Sequence, residues 1–138
     1  MLGAVACAVA ALWATGAQAQ SNYPNQPITL LVPYAAGGTT DVLARALANS
    51  MGKQLKQSVI VENRPGAGGS MGVVEMLKTK PDGYKLTLTP VGIFRQPYLQ
   101  KTSYDPIKDV TYIASFATYD FILGVSATAP YKTLKDLV

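Results

Sequence analysis

Apolar residues along the chain fall into short continuous runs separated by longer stretches with helical spacing. The run ITLLV, residues 28–32, is apolar almost throughout, which is typical of a parallel strand buried on both faces. SVIVE (58–62) and KLTLT (85–89) predict two further strands. The chain therefore carries three predicted strands in its first ninety residues.

The stretches between these strands predict helices. Apolar residues recur every three or four positions from about Thr40 to Leu55. Met71, Val74 and Leu77 mark a second helix, predicted to end near Lys78 and Lys80. Strands joined by such long connections pair in parallel through right-handed crossovers, so the predicted fold is α/β with a mostly parallel sheet. Ligands of such sheets lie beyond the carboxyl ends of the strands.

The remaining third of the chain is less regular. QPYLQ (96–100) predicts a short helix, and DVTYIASFA (109–117) and FILGVSA (121–127) predict two more strands. Thr133 as N-cap and Asp136 in the first turn predict the start of another helix. Because the sequence stops where this helix begins, we expect the chain to be a fragment of a longer protein.

The first nineteen residues carry no charge and predict a cleavable secretory signal, with Ala17-Gln18-Ala19 as the cleavage site. They lack the usual basic start, which predicts a true start further upstream. An uncleaved anchor is the alternative, although the run is short and alanine-rich for a membrane span. Cleavage would remove Cys7, the only cysteine, so the mature part would have no disulfide. Residues 20–27 form a polar linker.

Composition narrows the possible functions. With 49% hydrophobic and 14% charged residues, the chain can bury a core. Its net charge is +4, but the basic residues are scattered, so no nucleic-acid partner is expected and a small anion is favoured over mere surface solvation. There is no histidine, no metal-ligand cluster is visible, and the eight acidic residues are widely spread. We therefore expect neither an enzyme nor a cofactor.

Two glycine loops carry the candidate chemistry. Ala36-Gly37-Gly38-Thr39 and Ala67-Gly68-Gly69-Ser70 each follow a predicted strand and open a predicted helix. Helix N-termini attract anions, glycine permits close approach, and the hydroxyls can cap the helix or face a ligand. Phosphate fits poorly, because neither loop has the lysine of a phosphate-binding loop and Met71 takes the last glycine place of a dinucleotide fingerprint. A carboxylate held by two converging N-termini and a pair of ordinary turns both stay open.

Four motifs in this order and spacing resemble the tripartite tricarboxylate transporter receptors, the Bug-type periplasmic substrate-binding proteins. They are VPYAAGGTTD, VIVENRPGAGGSMG, KPDGYKL and YDPIKDVTYIA, and the resemblance runs from Tyr23 to Val138. It implies a periplasmic-binding-protein type II-like fold, with residues 28–116 as the first lobe and 117–138 as the crossover to a truncated second lobe. It also implies a monomer that binds a small di- or tricarboxylate, aromatic acid or amino acid in the periplasm and delivers it to a membrane transporter.

The resemblance also implies the ligand-binding residues, which lie in three loops: Tyr34, Ala36, Gly38, Thr39 and Asp41; Gly68, Gly69 and Ser70; and Pro90 and Val91. The sequence departs from the family pattern after the third strand, where a His and an Asn are frequent. Phe94 and Arg95 in that stretch can alter the ligand preference. Lys56-Gln57-Ser58 replaces the frequent Gly-Gln-Pro in a surface turn.

Some roles stay open at this point. Asp41 either accepts N–H bonds at the start of its helix or meets an ammonium group on the ligand, and the first role is favoured. For Arg64, a structural ion pair is favoured over attraction of an acid. As alternatives to the receptor function, the sequence leaves a nucleotide-dependent enzyme of doubly wound α/β fold and a truncated, non-functional receptor.

Overall fold

The computed structural model describes residues 23–119 and 122–137, in which three parallel strands form one sheet. The strands are β1 (Ile28–Val32), β2 (Val59–Asn63) and β3 (Lys85–Thr87). Their order is β2-β1-β3, with β1 in the centre. Leu30 of β1 lies opposite Val61 of β2 and Leu86 of β3. The predicted parallel α/β sheet is thus confirmed.

Helices connect and follow these strands. They are α1 (Thr39–Leu55), α2 (Met71–Met76) and α3 (Gln96–Leu99), together with 3₁₀ turns at Ala67–Gly69, Val91–Phe94 and Leu134–Asp136. Each predicted helix is present, but α2 ends at Met76, before the predicted lysines. The third strand stops at Thr87, although the Leu88 amide still donates to the Leu31 carbonyl at 2.9 Å.

The central strand is buried on both faces, as its apolar run predicted. Leu30 and Val32 pack with Ala44 and Ala48 of α1 on one face. On the other face α2 comes close to Leu31, because Gly72 has no side chain to separate them. A Cβ at Gly72 would collide with the hydroxyl of Thr87 and lie 3.8 Å from the Leu31 Cβ. This close packing fixes α2, and the loop before it, against the sheet.

A second core cluster joins α2 to the segment that follows β3. Val73, Ile93, Tyr104 and Val110 are its buried members. Val73 and Ile93 have no exposed surface, and Tyr104 is 6% exposed. The cluster therefore anchors the 3₁₀ turn of residues 91–94 beside the loop that opens α2.

The prediction of two strands at 109–117 and 121–127 is wrong for the residues of these segments that the structure describes. Residues 109–119 and 122–126 form no strand, and Ile113 and Ile122 are 80% and 91% exposed. A strand is stabilised by backbone bonds to a neighbouring strand, so residues of high β-propensity do not form one without a partner. The predicted capping box at Thr133 and Asp136 is present.

The predicted signal segment, residues 1–19, and most of the linker lie outside the described residues. Among the helices that are described, none combines the length and the apolar character that a membrane span requires.

Candidate functional site

Three loops leave the carboxyl ends of the parallel strands and therefore lie at one edge of the sheet. Loop 1 (residues 33–38) follows the central strand, loop 2 (64–70) follows β2, and loop 3 (88–90) follows β3. Seven of the ten residues predicted to bind a ligand lie in these loops; Thr39 and Asp41 lie in the first turn of α1, and Val91 begins the 3₁₀ turn after loop 3. The central position of β1 places loop 1 between the other two.

Loop 1 opens α1 without a side-chain cap. Gly37 has a left-handed backbone with φ of +83°, and Gly38 takes the N-cap position in an extended conformation. No side chain bonds to the amides of the first turn in the described structure, so of the two roles left open for the Thr39 hydroxyl, capping does not hold. Residues 34–39 are exposed. The start of α1 is therefore uncapped and lies at the surface, where its free N–H groups and the helix dipole favour an anion.

Asp41 turns its carboxylate back onto loop 1. The side chain is 4% exposed, and it accepts hydrogen bonds from the Gly37 amide at 2.8 Å, from Arg45 Nε at 3.0 Å and from Asn63 Nδ2 at 2.9 Å. These donors, Arg45 first, then Gly37 and Asn63, lower the pKa of Asp41 to about 2. The favoured interpretation of Asp41 was that its carboxylate accepts N–H bonds at the start of the helix. It does accept one, but the donor is Gly37, the residue before the N-cap.

Asn63 links loop 1 to loop 2. Besides its bond to Asp41, its amide nitrogen donates to the Tyr34 carbonyl at 3.1 Å, and its oxygen accepts from Arg45 Nη2 at 3.2 Å. The Arg64 amide donates to the Val32 carbonyl at 2.7 Å. The sequence reasoning missed Asn63 and Arg45. The available signals were a polar residue after an apolar strand and an i,i+4 acid–base pair on α1.

Loop 2 contains three consecutive left-handed residues. The φ values are +45° at Ala67, +61° at Gly68 and +92° at Gly69. Such backbone is rare outside glycine, which makes Ala67 unusual. Ser70 is 4% exposed, and its hydroxyl donates to the Ala67 carbonyl at 2.9 Å. The prediction that its side chain caps α2 is therefore wrong, because the hydroxyl closes loop 2 instead.

Loop 3 and the turn after it pack directly on loop 2. A Cβ at Gly69 would come 2.5 Å from the Pro90 ring, and one at Gly92 would lie 3.5 Å from the Gly68 carbonyl. Val91 is 60% exposed beside them. Gly69 of loop 2 and Gly92 of the following turn thus let the two segments approach each other closely.

Arg64 makes the structural ion pairs that the sequence favoured. Its guanidinium binds Glu62 and Glu75, each at 2.9 Å. Within residues 23–119 and 122–137, no three acidic or thiol side chains gather in a way that would hold a metal ion.

An apolar cavity of about 290 Å³ lies elsewhere, beneath residues 110–117. Leu30, Met51, Leu86 and Phe116 are among the residues that line it, and no residue of the two glycine motifs does. Hydroxyl groups such as those of Thr111 and Ser115 also line it, but no charged side chain does, so most of the lining is unsuited to a carboxylate. The candidate site is therefore the loop edge.

Comparison with known proteins decides the family. The family model described as "Tripartite tricarboxylate transporter family receptor" matches residues 43–138. The chain belongs to this receptor family. The resemblance noted in the four motifs is thus confirmed, and a receptor family gives no support to the nucleotide-dependent enzyme.

Relatives and solved structures agree with this assignment. A Cupriavidus necator protein described as "UPF0065 protein in gbd 5'region" is 45% identical over 136 residues, covering 98% of this chain and 42% of that protein. A solute-binding protein of the same family from Polaromonas, solved without ligand, is 46% identical with a TM-score of 0.57, covering 59% of this chain and 28% of that one. R. palustris Rpa4515, solved with adipate, is 34% identical with a TM-score of 0.57, covering 62% and 29%. The chain thus spans less than half the length of each.

Proposed function

We propose that the protein is an extracytoplasmic receptor for a small organic carboxylate. The observation that carries the proposal is the uncapped, solvent-facing start of α1 beside a second glycine loop, in a chain of this receptor family. Uncapped amides and a positive helix end stabilise a carboxylate without any basic side chain. The adipate held by R. palustris Rpa4515 is an anion of this chemical class.

Loop 1 supplies the first contacts in this proposal. Gly38 and Thr39 offer backbone N–H groups, Ala36 leaves room beside them, and Tyr34, 40% exposed, borders the site. Asp41 acts through the loop rather than on the ligand, since three donors already bind its carboxylate.

Loops 2 and 3 complete the proposed site. Gly68 is exposed and offers its backbone to the ligand, whereas Gly69 and Ser70 are buried and act by shaping the loop. Pro90 sets the distance between the loops, and Val91 contributes exposed apolar surface for the ligand carbon chain.

Membership of the family also suggests where the protein acts and which partner it serves. We propose a monomeric receptor, exported to the periplasm by the segment 1–19, that passes its ligand to a tripartite tricarboxylate-type transporter. Residues 28–116 form the first lobe in this proposal, and 117–138 begin the crossover to the second. No cofactor and no nucleic acid are part of this function.

A thermal-shift screen of the full-length gene product tests the proposal. Di- and tricarboxylates, aromatic acids and amino acids are compared with their uncharged amides, and dinucleotides are included to test the enzyme alternative. A ligand that binds only the native state stabilises it by about 2.7 kcal/mol at 100 times its Kd. We expect at least one acid to raise the melting temperature while its amide does not. A flat response to every acid, or a shift with dinucleotides alone, would contradict the proposal.

A further inference from the structure

The Ala67 carbonyl is the point at which loop 2 is held. It accepts hydrogen bonds from the Ser70 hydroxyl at 2.9 Å, from the Ser70 amide at 3.2 Å and from the side-chain amide of Gln96. Two of these donors belong to loop 2 itself. Gln96 reaches across from the start of α3, and it therefore couples loop 2 to a separate element.

Gln96 is itself held by a buried residue. The Tyr104 hydroxyl lies 3.2 Å from Gln96 Oε1 and 3.3 Å from the Ile93 carbonyl. Tyr104 is 6% exposed and belongs to the core cluster with Val73 and Ile93. With Oε1 toward this hydroxyl, Nε2 faces the Ala67 carbonyl, which can only accept. If the amide were flipped, Gln96 Oε1 would face the Ala67 carbonyl oxygen, and two acceptors would meet. Nε2 would then face the Tyr104 hydroxyl.

The backbone of loop 2 is suited to this contact. A Cβ on Gly68 would collide with Gln96 Nε2, so the glutamine occupies space that only glycine leaves free. Ala67 holds a left-handed φ that a non-glycine residue adopts only when its surroundings enforce it. A donor on its carbonyl provides such a constraint.

We infer that Gln96 is a positioning residue that sets the backbone of loop 2 for ligand binding, and that Tyr104 fixes the orientation of its amide. The inference rests on the proposed carboxylate-receptor function. Without the Gln96 side-chain amide, the Ala67 carbonyl keeps only the two bonds from Ser70, and the exposed Gly68 amide next to it is held in a less defined direction. Donors that are already ordered in the free protein bind a ligand more tightly, because no free energy is then spent on ordering them during binding.

The test uses Gln96→Leu and Gln96→Glu in the full-length gene product, with Gln100→Leu as the matched control. Gln100 is an exposed glutamine at the end of the same short helix, with no side-chain hydrogen bond to the described residues. Titration with succinate, glutarate and adipate measures Kd. We expect Gln96→Leu to raise Kd at least about tenfold for each dicarboxylate that binds the wild type, and Gln100→Leu to change it less than about twofold.

Gln96→Glu supplies a readout that a purely structural role would not give. An ionised glutamate cannot donate to the Ala67 carbonyl, whereas a protonated one can. Free glutamate has a pKa of about 4.3. The ratio of variant Kd to wild-type Kd should therefore fall as the pH is lowered from 7 to 4.5. Wild-type affinity in both variants at pH 7, or a ratio independent of pH, would overturn the inference.

A ligand-independent measurement separates failure of this inference from failure of the proposed function. Hydrogen exchange of the amides of residues 66–70 reports on loop 2 directly. We expect faster exchange in Gln96→Leu, and also in Tyr104→Phe, than in Gln100→Leu. If no carboxylate binds the wild type, the proposed function fails, and with it the role in binding. If the carboxylate binds but exchange and affinity are unchanged in the variants, only the positioning role fails.

Discussion

Gly69→Ala should lower the free energy of unfolding by about 2–5 kcal/mol. The left-handed φ of +92° costs a non-glycine residue about 1–2 kcal/mol, and the added methyl group would lie 2.5 Å from the Pro90 ring, an overpacking that costs about 1–3 kcal/mol. Relief of this collision would push loop 3 away from loop 2, so dicarboxylate affinity should also fall at least about tenfold. Equilibrium unfolding in urea and calorimetric titration measure the two effects.

Gly37→Ala is the matched control for this substitution. Gly37 has a similar φ of +83°, but an added Cβ would meet no atom within 4 Å. Its loss of stability should therefore be limited to the backbone strain of about 1–2 kcal/mol. If the two variants were equally destabilised, the contact between loops 2 and 3 would not be as tight as described.

Asp41→Asn should lower the melting temperature by on the order of 5 °C at pH 7, because the carboxylate accepts three hydrogen bonds and an amide cannot accept them all. The effect depends on pH. The pKa of Asp41 is lowered from 3.8 to about 2 in the folded protein, so its stabilisation is fully present above about pH 4 and is lost as the pH falls toward 2. The difference in melting temperature between wild type and variant should shrink over that interval. A difference independent of pH would contradict the three-donor arrangement.

The same variant distinguishes the two roles of Asp41. If it organises loop 1, Asp41→Asn should weaken an amino acid and its deaminated analogue by a similar factor, about tenfold. If it meets an ammonium group, only the amino acid should lose affinity. Titration of one such pair into both proteins gives the answer. We expect equal losses, since Arg45, Gly37 and Asn63 already surround the carboxylate.

The sheet and its loops were predictable because their signals are local. Apolar runs gave the three strands, helical spacing gave α1, and the glycine pairs marked the turns between them. The segment 109–117 was misjudged for the same reason. Its β-propensity is high, but whether it forms a strand depends on a partner strand, which local sequence does not specify.

The site could be predicted less completely than the fold. The glycines of both loops were identified, yet the residues that hold those loops were not. Asn63 and Gln96 act across 22 and 29 positions of sequence, on Asp41 and on Ala67. The hydroxyls of Thr39 and Ser70 matched a capping pattern, but Gly38 takes the cap of α1 and Ser70 bonds within its own loop. Contacts of this kind depend on tertiary structure, and spacing alone does not reveal them.

The central claim is that a carboxylate lies against the backbone at the start of α1, and Gly38→Ala tests it most directly. Gly38 has φ of −76° and ψ of 168°, which alanine adopts freely, and its added Cβ would meet only the Ala35 carbonyl at 3.5 Å. The free energy of unfolding should change by no more than about 1 kcal/mol.

Calorimetric titration of wild type and Gly38→Ala is the decisive measurement, with the acid that gives the largest shift in the thermal-shift screen and with its uncharged amide. We predict that the acid binds the wild type, that the amide does not, and that Gly38→Ala raises the Kd for the acid at least about tenfold, a loss of about 1.4 kcal/mol. Equal affinity of both proteins for the acid, or equal binding of acid and amide, would contradict the central claim.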